Sequence, residues 1–549
     1  MQSRVLQLDS RDNVLVALAD LKRGESVGCS GKEYVLNSDV PAKHKFATED
    51  FAPGDRVIMY GVVVGQAVKP IPAGELLTVS NIRHESAPFH EQSGDFQWSS
   101  PGVSRWRDAT FHGYQRSDGQ VGTRNYWLVV PLVFCENKNI QVLKQAFEEE
   151  LGFAAPQLYR RQVAELARLY RDDKLLQLPD RGVAHEHSPA ANERLFTNVD
   201  GIRFLLHEGG CGGTHEDSKN LCGLLAGYIH HPNVAGATVL SLGCQHAQVD
   251  ILQTEIRKRN PEFDKPLFTF EQQKSGSEAS MMTEAIRQTF LGLAEANRAQ
   301  RTSAPLSKLC VGLKCGGSDG FSGISANPAI GHTSDLLAAL GARTILSEFP
   351  ELCGVEQELI NRARSKDVGD RFIQLMNDYA ARAAAVRSAF EMNPSPGNMR
   401  DGLLTDAMKS AGAAKKGGKS SVTAVLDYPE YSTEPGLNLQ CTPGNDVECV
   451  TAQVGAGASV VLFTTGLGTP TGNPIAPVVK LSTNSALTQR MHDIIDIDTG
   501  AIIEGTQTIE QMGESILDAV VKIASGEIHT KAEMKSQEDF IPWKRGVSL

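Results

Sequence analysis

The sequence predicts an α/β protein: a main body of two α/β domains with a small all-β domain at the N-terminus. Three observations predict it. From about residue 108 onward, apolar runs of strand length alternate with helical patterns. Residues 1–85 carry only short β patterns divided by Gly-bearing turns. A chain of 549 residues is longer than one hydrophobic core serves. The divisions read from these patterns are 1–85, a linker at 86–107, a second domain at 108–297 and a C-terminal domain at 305–549.

The first segment repeats itself. "DLKRGESV" (20–27), "DFAPGDRV" (50–57) and "PIPAGELL" (70–77) share an apolar residue, two spacers, Gly, an acid, a spacer and an apolar residue. Each reads as a turn whose Gly takes positive φ, followed by a strand. Between two of these turns lies "AKHKFA" (42–47), with His44 flanked by Lys43 and Lys45, which by spacing alone is a solvated basic loop. Residues 86–107 lack periodicity, carry Ser, Gly and Pro, and hold two of the four Trp. They predict a linker lying against a domain.

In the second segment, "GIRFLL" (201–206), "NYWLVVPLVF" (125–134) and "GATVLSLG" (236–243) read as buried strands. In "QVAELARLY", the spacing of Val163, Leu166, Leu169 and Tyr170 predicts a helix with one apolar face. The polar stretch "RAQRTSAPLSK" (298–308) predicts a domain boundary. In the third segment, "KLCVGL" (308–313), "ARTILSEF" (342–349), "SSVTAVLDY" (420–428) and "ASVVLFTTG" (458–466) are strand candidates. Phe372, Leu375, Met376 and Tyr379 mark a helix. "KSAGAAKKGGKSS" (409–421) reads as a flexible basic loop.

Composition narrows the function. A net charge of −11 argues against nucleic acid as partner, and it requires a local cluster of cations or amide donors if the substrate is an anion. No apolar run approaches the ~18 residues that span a bilayer, so no membrane partner is expected. The N-terminal stretch MQSRVLQLDSRDN has no apolar h-region. Ten dispersed cysteines without a CxxC pair suit a reducing cytoplasm. A small-molecule substrate is expected, and a homo-oligomer is compatible with the chain.

Chemistry gathers where apolar strands end. One ends in Cys135-Glu136-Asn137, one in His207-Glu208-Gly209-Gly210-Cys211, and one in Cys244-Gln245-His246. Another ends in Lys314-Cys315-Gly316-Gly317-Ser318-Asp319, and a fifth in Glu348. Parallel α/β sheets bind ligands beyond the carboxyl ends of their strands. "KCGGSDGFSGISANPAIG" (314–331) lacks GxxxxGK[ST], and no GxGxxG follows a strand, so a nucleotide is not expected. "NPSPGN" (393–398), "TPGND" (442–446) and "TTGLGTPTGNP" (464–474) offer the directional polar groups that a polyhydroxylated ligand needs. No zinc-type spacing is present, so any metal site must be assembled from distant segments. Mixed His and carboxylate ligands with open positions suit Fe(II), Mn(II) or Mg(II).

These segments, together with "GQVGTRN" (119–125) and "LGC" (242–244), closely resemble the altronate/galactarate dehydratase family over nearly the whole chain. The first segment, with its "HKFA" stretch, is similar to that family's SAF-type β-clip domain. The rest resembles its second and C-terminal domains, implying two Rossmann-like α/β units. The altronate branch is the nearer resemblance. "EGGCGGTHE" departs from the family's pattern, although His207 keeps its spacing before Gly210-Cys211.

The resemblance implies loss of water from a sugar acid, D-altronate giving 2-dehydro-3-deoxy-D-gluconate. A divalent metal, Fe(II) foremost, would assist C2 proton abstraction and loss of the 3-hydroxyl. It implies His44, His207, Asp319 and Glu348 in proton transfer or metal binding. Lys43, Lys45 and Arg124 would offset the substrate carboxylate, and Ser318, Asn327, Asn398, Asn445 and Thr469 would orient its hydroxyls. Metal ligands would come from His44, His207, Cys211, Cys244 and Cys315. Galactarate dehydration, an iron–sulfur hydro-lyase holding Cys211, Cys244 and Cys315, and a non-catalytic sugar-acid sensor are the alternatives.

Overall fold

A computed structural model describes residues 4–94, 96–154, 158–174, 194–546 and 548. It is a mixed α/β protein with a β-rich N-terminal region and two parallel sheets.

The N-terminal region follows its repeat. Gly24, Gly54 and Gly74 take φ of 81°, 98° and 81°. The amide of each donates to a carbonyl across its turn, from Leu36, Ala67 and Ala47 respectively. The short strands form two three-stranded sheets and a hairpin. Val57, Met59 and Val64 share one apolar core with Phe321, Ile324 and Leu404, so the region is fused to the C-terminal domain by buried surface. The linker lies against that domain: the Trp106 indole donates to Asp518 at 2.9 Å, and Ser93 bonds Asn361.

The second domain has a four-stranded parallel sheet in the order Gly201–Phe204, Tyr126–Pro131, Val234–Ser241, Leu267–Glu271. The central strand YWLVVP is buried throughout. Trp127 and Val129 face the helices Asn137–Glu150 and Glu278–Ala296, while Tyr126, Leu128 and Val130 face His215–His230. Burial on both faces explains why this strand reads as a continuous apolar run. The C-terminal sheet has seven strands: Val422–Leu426, Gly436–Gln440, Arg343–Leu346, Cys310–Cys315, Val460–Thr465, Val478–Ser482 and Ile497–Asp498. All its pairings are parallel.

Two sequence expectations change, and the stretch expected as a domain boundary carries a strand. The helix Leu158–Arg171 exists, but of its apolar set only Leu169 is buried; Val163, Leu166 and Tyr170 face solvent. The stretch 298–308 contains the strand Arg301–Pro305, antiparallel to Thr110–Gln115. Residues 409–421 are no flexible loop. Lys409 lies in the helix Asp406–Ala414, a 3-10 turn covers Lys415–Gly417, and Lys409 and Lys416 are buried. Ala and Gly give a slim helix that packs closely, and the lysines are drawn inward by carboxylates described below.

The two α/β units meet where the helix His215–His230 packs on Asp446–Gly455. A Cβ on Gly227 would overlap the Gly455 carbonyl. Gly227→Ala is therefore expected to cost about 1–3 kcal/mol through overpacking, read as a lowered urea midpoint. An unchanged midpoint would mean the helices are not in this contact.

Candidate active site

In the C-terminal sheet the chain enters at the Cys310–Cys315 strand and builds outward on one side, then returns to build on the other through Val460–Thr465. The crevice between those two strands is the topological switch point, where open α/β sheets bind ligands. Loops 315–320 and 465–469 fill it. Gly316 donates to the Thr464 carbonyl at 3.0 Å, and Gly466 and Leu467 donate to the Gly317 carbonyl at 3.0 and 2.9 Å. Gly317 takes φ of 58°. A Cβ on Gly316 would meet the Asp446 carboxylate and one on Gly466 the Asp319 carboxylate, so glycine is what lets these loops close on each other.

Beneath them lies a buried ionic network. Lys314 at the strand end binds Glu348, Asp446 at 3.0 Å, and the Gly444 carbonyl at 3.0 Å. Lys416 donates to Glu348 at 2.6 Å and to the Cys315 sulfur at 2.7 Å. Lys409 donates to Glu351 at 2.8 Å and to Asn393 at 2.6 Å. Glu348 holds a left-handed backbone, φ 68°, with its amide on the Thr442 hydroxyl. That conformation costs free energy in a residue bearing a Cβ and marks the turn as a functional candidate.

The protonation pattern follows from the pairing. Burial alone would discharge Lys314, yet Glu348 and Asp446 hold its pKa well above the ordinary value. Burial would raise the Glu351 carboxyl, but Lys409, Lys314 and Lys416 together hold it below. Burial, reinforced by the Glu348 charge, pushes the Cys315 thiol up to about 11.

Among the described residues, Cys315, Glu348 and Glu351 are the only trio of such ligand atoms within 4.8 Å of one another. Three ammonium groups already neutralise that trio. A dication there would sit against Lys314, Lys409 and Lys416, so this donor set, as arranged, does not fit a divalent ion. Among the described residues, His44, His207, Cys211, Cys244 and Cys315, the ligands expected from sequence, do not form such a group either.

Beside the network is a cavity of about 490 Å³ lined by Lys43, Phe321, Asp401, Leu467, Asn484 and Arg490. Its volume suits a small polar ligand. Lys43 arrives from the N-terminal region. Its backbone, φ 75°, is held where Cβ atoms on Gly320 or Gly402 would overlap its carbonyl. Its ammonium bridges Asp319 at 3.0 Å and Asp401 at 3.1 Å. Burial opposes its charge, and these two carboxylates more than restore it.

His44 follows. Its Nδ1 lies 3.2 Å from the Ala42 carbonyl, and burial lowers its pKa. The neutral tautomer with Nδ1–H on Ala42 leaves Nε2 basic. Ser318, in the loop between network and cavity, has a buried hydroxyl with no hydrogen-bond partner among the described residues, the kind of group a ligand would satisfy.

The other expected residues divide. Asp319, Glu348 and Cys315 belong to this site as described. Asn398 supports it, donating to the Ser318 carbonyl at 2.8 Å, and the Thr469 hydroxyl approaches Gly317. Lys45 is fully buried and donates to the Gly402 carbonyl at 2.7 Å. Asn327 is committed to Thr464 and Gly412, and Asn445 caps the helix Asp446–Gly455. Arg124 lies elsewhere, paired with Glu533 and the Ile523 carbonyl. His207 closes a turn with both ring nitrogens, Nε2 on the Pro131 carbonyl and Nδ1 accepting from Gly209; burial brings its pKa to about 4. Cys211 and Cys244 sit on the other sheet and are exposed.

The sequence placed Lys314 at a strand end but assigned no site role to it or to Glu351, Lys409, Lys416, Asp401 or Asp446. Lys314 had a signal: a lysine inside an apolar strand must be paired. Lys409 and Lys416 had none, because Gly and Lys together imitate a solvated loop.

Comparison with known proteins bears on what this site does. Residues 306–548 match the family description "D-galactarate/Altronate dehydratase, C-terminal". Residues 113–297 match "D-galactarate dehydratase/Altronate hydrolase, second domain", and residues 3–85 match "Altronate/galactarate dehydratase SAF domain". The chain is 32% identical to an altronate dehydratase of Bacillus subtilis and 33% identical to one of Escherichia coli, over 99% of each chain in both cases. It is 31% identical to the Escherichia coli galactarate dehydratase (L-threo-forming), over 96% of this chain and 93% of that one. With a charged polar crevice at a parallel-sheet switch point, these matches define a hydro-lyase. The chain belongs to the altronate/galactarate dehydratase family.

Proposed function

We propose that this chain dehydrates an aldonate, converting D-altronate to 2-dehydro-3-deoxy-D-gluconate, on two Rossmann-like frames in a reducing cytoplasm suited to ten unpaired cysteines. The observation that carries the geometry is the cavity lined by Lys43, whose ammonium reaches Asp319 beside Ser318 and whose chain neighbour is His44. The Lys43 ammonium offsets the substrate carboxylate. His44 Nε2 takes the C2 proton, whose bonding pair becomes the C2–C3 double bond. The C3–O bond breaks as the hydroxyl takes that proton back from the His44 imidazolium and leaves as water, and the enol tautomerises to the ketone. The hydroxyl of Ser318 supplies an orienting hydrogen bond. Arg490 lines the same cavity, and a second cation is what an aldarate with two carboxylates would use; galactarate is therefore the second reading.

The test is a panel of aldonates and aldarates scored for 2-keto-3-deoxy acid. Altronate is expected to turn over fastest. His44→Ala is expected to lower kcat by about 10²–10⁴ with an unchanged melting curve. Wild-type turnover in that variant removes the imidazole from the chemistry. A thermal shift with aldonates and no keto acid from any of them would make the protein a sensor.

A further inference from the structure

The second domain holds a group of thiols that the site above does not use. Cys135, Cys211 and Cys244 are exposed and unpaired, each just beyond the carboxyl end of one of three adjacent parallel strands: Tyr126–Pro131, Gly201–Phe204 and Val234–Ser241. Backbone hydrogen bonds tie their turns together. Phe134 donates to the Gly209 carbonyl at 3.1 Å, and His246 and Ala247 donate to the Gly210 carbonyl at 3.0 and 3.1 Å. Gly210, φ 101°, passes so close to the end of the central strand that a Cβ would overlap the Leu132 carbonyl.

Each cysteine also precedes a helix, at Asn137, His215 and Val249, so three helix N-termini aim at the same edge. That field favours an anionic ligand. The Gln273 amide already donates to the Cys244 sulfur at 3.3 Å. A cavity of about 680 Å³ opens beside Cys211, lined by Asn137, Glu208 and Gly209.

The spacing selects the ligand. Neighbouring strands lie about 4.8 Å apart, so turns that leave three of them are spread more widely than the roughly 3.8 Å between sulfurs on one tetrahedral ion. The described cysteines accordingly do not form a single-ion group here. We propose that Cys135, Cys211 and Cys244 hold a [4Fe–4S] cluster, three irons bound by thiolate and the fourth open toward the cavity. Cys315, which the sequence paired with Cys211 and Cys244, is buried in the other sheet and takes no part.

The proposal is tested on the full chain by metal content, which is independent of whether altronate is the substrate. Anaerobic protein is given a preformed synthetic [4Fe–4S] cluster capped by four thiolates, then desalted. Three cysteine thiols displace three caps, which leave as thiols carrying the cysteine protons, and no iron changes oxidation state. The expected result is about four irons and four sulfides per chain, with a brown visible band. Cys135→Ser, Cys211→Ser and Cys244→Ser each reduce retained iron to background while keeping the wild-type circular dichroism spectrum, and Cys315→Ser retains the full load. The proposal is overturned if wild type retains no cluster, retains one iron without sulfide, or if the triple Ser variant loads like wild type. A loaded protein that dehydrates no sugar acid would sink the functional reading and leave the cluster standing.

Discussion

Glu348→Gln should unfold well before wild type. The substitution keeps the shape of the side chain but removes the charge that Lys314 and Lys416 share. Both ammonium groups are buried, so neither recovers its loss by moving into water. Removing one partner of a buried ion pair costs about 3–5 kcal/mol. For a unit of this size that lowers Tm by on the order of 10 °C. Adding Lys416→Met to Glu348→Gln should recover part of the loss, because it removes one stranded cation. A double-mutant cycle by urea unfolding reads this directly. Additive losses would mean that Lys416 is charge-compensated by something other than Glu348.

Lys45 should make stability depend on alkaline pH. Burial brings its pKa from 10.5 to about 7, against a weaker opposing pull from Asp319. The unfolded chain therefore binds more protons than the folded one between these values, so stability rises with pH across that window. The cost of burying the charge is fully present below pH 7 and disappears above the unfolded pKa. Relative to Lys45→Met, wild type should gain on the order of a few kcal/mol between pH 7 and 10, by urea unfolding at each pH. A flat difference would show that Lys45 keeps an ordinary pKa in the folded protein.

The fold was largely legible from periodicity. Strands such as 125–134 and 458–466 are buried on both faces, so their apolar runs are unambiguous, and Gly24, Gly54 and Gly74 announce turns that only positive φ permits. Boundaries were less legible, as at Arg301–Pro305, where polar composition hides a strand paired at an exposed edge. The site was half legible. Loop motifs located the crevice through Cys315, Ser318, Asp319 and Glu348. Partnerships were not legible, because Lys416 lies 68 residues from Glu348 and Lys43 is 358 residues from Asp401. Arg124 and His207 show the converse. Each carries chemically suggestive groups that the fold spends on holding backbone in place.

The division of labour between Lys43 and the buried lysines has an evolutionary reading. One rim of the cavity belongs to a region matched to the rest through an apolar seam and a few polar contacts, while the network under it is built wholly from residues 314–446. A chimaera carrying a relative's first 85 residues, seam included, would transplant that rim onto an unaltered foundation. Natural selection had the same option: to retune which acid is accepted by exchanging one segment and sparing the part that is hardest to rebuild.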